Sequence, residues 1–206
     1  MVLEARDVAC RRGVRQLFAG VSFVVRPGDC WEVRGPNGSG KTSLLRILCG
    51  LRPPDAGEVR WNDEPIAARR EEYMASMTYI SHRAAIKAEL TALENLRVAT
   101  ALSGWRVGDA DTRRALDRMG LSGQRQLPGR RLSEGQQRRL ALARLLLTPT
   151  PLWLLDEVLT ALDAAAARNV AAMLDEHLAG GGMAVVATHQ PLALGARVPR
   201  RIELAA

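Results

Sequence analysis

Residues Gly35–Thr42 read GPNGSGKT, set between the short strand-like run Cys30–Arg34 (CWEVR) and the apolar stretch Thr42–Leu51 (TSLLRILCGL). Gly35, Gly40, Lys41 and Thr42 fit the spacing G-x-x-x-x-G-K-[ST], whose glycines let successive backbone N–H groups turn inward around phosphate oxygens. Lys41 is expected to reach the outer phosphates and Thr42 to offer its hydroxyl to Mg²⁺, with Pro36, Asn37, Gly38, Ser39 and Ser43 completing the nucleotide cradle. A strand before the loop and a helix after it place the anion at a helix N-terminus, where the dipole and unpaired N–H groups favour negative charge.

A second stretch extends this reading. Leu152–Leu155 is an unbroken apolar run ending in Asp156 and Glu157, the pattern of a buried parallel strand whose C-terminal edge faces a ligand. Taken alone, the acidic pair reads as a solvated strand end. With a phosphate loop upstream, Asp156 is placed to hold Mg²⁺ and Glu157 to orient or deprotonate a water.

About ninety residues after the loop, Leu132, Ser133, Glu134, Gly135 and Gln136 spell LSEGQ, followed directly by QRRLALARLLL. This resembles the signature motif of ATP-binding cassette (ABC) ATPases. TALD at Thr160–Asp163 is similar to that family's D-loop, and THQ at Thr188–Gln190 to its switch histidine. The resemblance implies an α/β P-loop NTPase with a RecA-like core, an N-terminal antiparallel β portion and a small helical subdomain. One domain then spans 1–206, with the core at 1–82 and 150–206 and the helical subdomain at about 83–149. ATP and Mg²⁺ are the implied cofactors, and a homodimer of cassettes the implied assembly, with the signature of one chain facing the ATP of the other. Glu157 then polarises the attacking water, His189 contacts the γ-phosphate and Asp163 links the two sites. A lone histidine after an apolar strand is often only a surface or core residue. His189 stands where the family places its switch. His177, near a helix end, reads as a solvated imidazole.

Three positions depart from the family pattern. The aromatic residue that stacks on adenine is missing and Arg12 stands near its place, where a guanidinium plane either substitutes for the ring or leaves the base loosely held. The Gln at the core-to-helical junction is replaced by His82, followed by Arg83. Val158 replaces a Pro after the catalytic Glu. The stretch Ser81–Leu96 (SHRAAIKAELTALENL) resembles the ATP-binding subunit of the bacterial haem exporter of cytochrome c maturation, which also has His at this place but follows it with Gln. Gly135–Leu145 and Thr188–Leu192 fit the same subfamily, as does a chain with almost nothing beyond its last strand. The implied role is energy coupling on the cytoplasmic face of the inner membrane, bound to integral membrane transporter subunits. The segment from His82 to Asn95 is then the docking surface, and Ile86, Leu90 and Leu93 are either its apolar contacts or subdomain core. A transporter cassette for another cargo and a non-transport ABC ATPase acting on nucleic acid are the rival readings.

Composition narrows these. The chain has 206 residues, of which 47% are hydrophobic, enough for one packed α/β domain. No apolar stretch approaches the roughly 20 residues that span a bilayer, and the N-terminus lacks a signal-peptide pattern, so a cytosolic protein is expected. Cys10, Cys30 and Cys49 are odd in number and form no CxxC pair, which reads as small core residues in a reducing compartment. The net charge of +7 is spread over Arg doublets with only 4% aromatic residues, so a stacking surface for nucleic acid is not expected and an anionic membrane or acidic partner suits it better. With neither CxxCH nor a His/Met pair suited to haem, the chain is not expected to bind haem itself.

The periodicities predict strands over Val2–Ala9 and Leu17–Val25 with Arg11–Arg15 as the turn, then Gly57–Trp61 and Met77–Ser81 completing an N-terminal β-rich portion. Helices are expected over Thr91–Thr100, Asp111–Met119, Leu132–Leu147 with Ser133 as cap, and Asp163–Leu178. Gly180–Gly182 stops the last helix, and a strand follows over Met183–Thr188.

Overall fold

The strands of this computed structural model are β1 (Leu3–Arg12), β2 (Arg15–Val25), β3 (Cys30–Arg34), β4 (Ala56–Trp61), β5 (Glu64–Pro65), β6 (Met77–Ile80), β7 (Leu152–Asp156), β8 (Met183–Ala187) and β9 (Arg200–Glu203). The α-helices are α1 (Lys41–Leu48), α2 (Arg70–Ala75), α3 (Ala92–Leu102), α4 (Asp109–Arg118), α5 (Glu134–Leu142) and α6 (Ala164–Ala179). The structure describes residues 1–189, 191–195 and 197–205; Gln190 of the predicted THQ motif lies outside them. Two units divide the chain: Met1–Tyr79, Thr150–Glu157 and Ala172–Ala206 form one, Ile80–Pro149 and Val158–Ala171 the other.

The strands form a four-stranded sheet in the order β2-β1-β4-β5 and a five-stranded sheet in the order β6-β7-β8-β3-β9. In the second sheet β7, β8, β3 and β9 pair in parallel. Every residue of β7 and β8 is buried, as an apolar run without alternation demands when both faces of a sheet are covered. Each such Leu or Val contributes about 1.5–3 kcal/mol relative to exposure. Leu44, Leu45, Ile47 and Leu48 of α1 share one core with Leu3, Val8, Val25, Val33, Leu152, Leu154 and Val185. Tyr73 of α2 is buried in this core, and its hydroxyl donates to Leu48 O at 2.5 Å.

The N-terminal hairpin is longer than expected. β1 runs on to Arg12 and β2 starts at Arg15, so the turn is Gly13–Val14 alone. β1 also does not alternate simply: Ala5 and Val8 both point inward because its register shifts between them, with Asp7 at φ 47°. Met77–Ile80 belongs to the second sheet, beside β7, and not to the N-terminal antiparallel portion. Its Thr78 hydroxyl lies 2.7 Å from that of Thr150, and Leu152 N donates to Ser76 O. A further strand follows the expected last one: β9 pairs with β3 from Trp31↔Arg200 to Arg34↔Glu203.

In the second unit, Leu96, Leu116, Met119, Leu121, Leu140 and Leu142 are fully buried. Two of its helices, α3 and α5, start on side-chain caps. Thr91 accepts from Glu94 N while Glu94 accepts from Thr91 N, and Ser133 and Gln136 do the same for α5; such a cap contributes about 1 kcal/mol. α5 ends at Leu142 and tightens into a 3-10 turn over Ala143–Leu146, so the long helix expected to Leu147 changes geometry near its end. Buried Asn95 on α3 holds the segment before its own helix, donating to Lys87 O, Leu90 O and Thr91 O and accepting from Lys87 N.

Candidate active site

The site forms where β3, β7 and β8 end. β3 runs into Gly35–Gly40, which turns directly into α1, whose first N–H groups have no partner within the helix. Gly40 sits at φ 105°, and a Cβ there would lie 2.9 Å from the Phe18 ring; the fit needs glycine on both counts. The Lys41 side chain is only 4% exposed, and its Nζ donates to Gly35 O at 2.9 Å and Pro36 O at 3.1 Å. Buried within the same loop, Ser39 Oγ has no hydrogen-bond partner. A buried hydroxyl without a partner, beside an ammonium held over inward-facing backbone, fits a phosphate cradle.

At the end of β7, Asp156 is fully buried and its Oδ1 accepts from the Thr42 hydroxyl at 3.1 Å. The Tyr79 hydroxyl approaches Asp156 Oδ2 at 3.4 Å, and burial together with that carboxylate pushes the phenol's pKa up. Carboxylate and hydroxyl oxygens side by side are the hard donors that Mg²⁺ takes. Glu157 has φ 52°, uncommon for a residue with a side chain, and its N–H donates to Ala187 O of β8 at 2.9 Å. Its Oε1 lies 3.8 Å from Lys41 Nζ and 2.9 Å from His189 Nε2. Three strand ends thus bring together an ammonium, a carboxylate and an imidazole that are far apart in the chain.

Beside them opens a cleft of about 450 Å³, whose walls include Arg12, Asn37, Ser43, Arg46, Arg52 and Glu157. Arg12, predicted at the base end, does line it. Arg46 and Arg52 were not expected; Arg46 follows Thr42 by four residues on α1, so helical spacing alone puts it on the loop's face. The cationic walls suit a polyanion.

Residues 18–160 of the chain match the family model of the ABC transporter. The cytochrome c biogenesis ATP-binding export protein CcmA of Nitrosospira multiformis is 47% identical to it over 202 residues, which is 98% of this chain and 98% of that protein. The chain belongs to the CcmA family of ABC ATP-binding subunits. A CcmA-family cassette is an ATP-binding, ATP-hydrolysing subunit. The fold agrees with solved cassettes. An ABC transporter ATP-binding protein from Pyrococcus furiosus superposes with a TM-score of 0.86 at 22% identity, over 99% of this chain and 98% of that one. A dimeric post-hydrolysis cassette, MJ0796 bound to ADP and Pi, gives 0.79 at 24% identity over 91% and 88%.

The predicted residues from His82 to Gln136, with Val158 and Asp163, lie in the second unit of this CcmA-family chain. Leu132 is 5% exposed and packs in that unit's core, while Ser133 and Glu134 are exposed at the start of α5. Gly135 lies against the TALD turn: a Cβ there would come 2.9 Å from Ala161 O. Asp163 Oδ1 accepts from Ala166 N at 2.7 Å and so caps α6. Val158 is buried. His82 and Arg83 are exposed on a tight turn whose Ser81 hydroxyl donates to Arg83 O. The buried Arg138 guanidinium holds that turn, donating to Ser81 O at 2.9 Å and to His82 O. Leu93 is core, whereas Ile86 and Leu90 are half-buried. Cys10, Cys30 and Cys49 are free and buried, and burial pushes the Cys30 thiol up to about 12. His177 corrects its prediction. It is not a solvated imidazole: its ring stacks on Trp153 at 3.8 Å, and burial lowers its pKa. Among the described residues no helix is long and apolar enough to cross a membrane.

Proposed function

We propose that this cassette works as a homodimer on the cytoplasmic face of the bacterial inner membrane, driving integral membrane subunits that export haem, or release a haem-loaded chaperone, during cytochrome c maturation. The observation that carries the catalytic part is the contact of Glu157 with both Lys41 and His189 beside the Thr42–Asp156 pair. Thr42 and Asp156 are the residues to hold Mg²⁺, which when bound neutralises charge on the phosphate oxygens. Lys41 and the loop N–H groups of Gly38–Thr42 hold and orient the outer phosphates. Glu157 takes a proton from, or orients, the water in line with the terminal phosphoryl group, and His189 contacts that group. Positioning and charge neutralisation carry most of such a reaction.

The dimer reading rests on the signature. Ser133 is exposed with its Oγ accepting from Gln136 N at 3.3 Å, so its hydroxyl proton stays available to donate. Gly135 holds the start of α5 close to the TALD turn. A helix start with a free hydroxyl donor suits the γ-phosphate of a nucleotide bound to a second cassette. In this role Asp163 links the two sites, and the segment from His82 to Asn95 faces a membrane partner. Arg12 lies over the base, and the chain itself takes neither haem nor nucleic acid.

The cargo is tested by deleting the gene and restoring it as wild type or as Glu157→Gln. Loss of holo c-type cytochromes in the deletion, rescued only by wild type, is the expected result. Normal c-type cytochromes in the deletion would assign the cassette to a different cargo.

A further inference from the structure

We propose that Glu32 positions the switch histidine by fixing the far end of the segment that carries it. Glu32 is 1% exposed on β3, two residues before the phosphate loop's Arg34–Gly35 junction. Its Oε1 accepts from Leu192 N at 2.7 Å. Its Oε2 is taken by Arg34, whose Nε and Nη2 lie at 2.9 and 2.7 Å, and by Arg201 Nε at 3.2 Å on β9. All three partners are donors, and both carboxylate oxygens are in use.

Stability does not explain this group. A buried ion pair is often matched or exceeded in stability by well-packed apolar residues of the same volume, and Trp31 and Val33 beside Glu32 and Val186 opposite it on β8 are apolar. What Glu32 supplies that an apolar residue cannot is an acceptor for one particular main-chain N–H. That N–H belongs to Leu192, three residues beyond His189. At the near end of the same segment, Thr188 N donates to Val33 O at 3.3 Å. Thr188, one residue before His189, and Leu192, three after it, are both tied to β3, the strand that runs into the phosphate loop. His189 Nε2 reaches Glu157 Oε1 at 2.9 Å, between two residues tied to the strand that also leads to Lys41. Glu32 acts through His189, its own contacts being to Leu192, Arg34 and Arg201.

The inference rests on His189 serving the reaction, and its test separates the two. Glu32→Leu removes the acceptor. Glu32→Gln leaves one oxygen for two demands, the Leu192 N–H and the arginines, and carries the test if the Leu variant does not fold. Both are measured in the assembled complex for ATP turnover. The chain has three histidines, so ring ¹³C–¹H resonances of His189 are read against those of His82. The expected result is a kcat lower by about tenfold for Glu32→Leu and less for Glu32→Gln, with the KM for ATP within about twofold. His189 resonances should shift or broaden while those of His82 stay in place. Unchanged kcat, or a loss of kcat with His189 resonances unmoved, would overturn the proposal. A His189→Ala variant that turns over like wild type would instead remove the role given to His189, leaving the spectral link to Glu32 standing.

Discussion

Around the phosphate loop, reactive side chains touch one another: Thr42 meets Asp156, Lys41 meets Glu157, and Glu157 meets His189. In the unit that carries LSEGQ, several polar side chains instead hold backbone. Ser133 and Gln136 cap α5, Thr91 and Glu94 cap α3, Asn95 holds residues 87–91, and Arg138 holds the carbonyls of Ser81 and His82. The first unit has an acid–base constellation and no donor array beyond its own loop. The second has a capped helix start, and ion pairs there such as Arg114–Asp111 and Arg130–Glu89 are exposed. Reaction chemistry and phosphate presentation are separate jobs, built by different means, and in the proposed dimer a second copy of the chain pairs the two.

The largest separation between the units is expected from Glu157→Gln. Loss of the base should lower turnover by about 10²–10⁴-fold while ATP binding persists, as read by phosphate release and nucleotide titration; turnover at the wild-type rate would remove Glu157 from the chemistry. Gly135→Ala tests the other unit. Its Cβ would meet Ala161 O at 2.9 Å, which should displace the helix start and lower turnover by about tenfold or more. ATP affinity of the monomer should be unchanged, and an equal loss of affinity would mean the units are not separable. The smallest effect belongs to the stack beneath β7. Burial lowers the pKa of His177 below its ordinary 6.5, so as pH falls the unfolded chain takes up the proton first. The stability contributed above that value is then lost progressively below it. Denaturation at pH 7.5 and 5.5 should show a slope that flattens in His177→Ala, with turnover of the folded protein little altered.

What could be read in the sequence divides along the same line. The phosphate loop, β7 and the start of α5 were legible because each needs fixed residue types at fixed spacing: glycines where φ is positive, an apolar run ending in acids, a Ser with Gln three residues on. β9 was not, because Arg200–Glu203 has the composition of a solvated tail. It is a strand only because β3 offers an open edge, Arg200 lies over the Trp31 ring at 5.7 Å and Arg201 reaches Glu32. α2 is a six-residue helix, too short for a helical period to show. Met77–Ile80 has the composition of any strand, and its sheet was decided by a distant partner, β7. His177 was misread because its neighbour Trp153 lies on another element, and the unexpected cleft arginines needed the helix geometry of α1 to bring Arg46 round.

The central claim, that ATP is clasped between two copies of this chain, is tested most directly by crosslinking differently tagged protomers. One carries Asn37→Cys, at the exposed tip of the phosphate loop, and the other Ser133→Cys, both in the Glu157→Gln background. The native thiols at Cys10, Cys30 and Cys49 are buried and do not compete. The account predicts a short bismaleimide link joining the two tags when ATP and Mg²⁺ are added, and little link without nucleotide. Saturating ATP with no link between protomers, or a link that forms only within one chain carrying both substitutions, would contradict it.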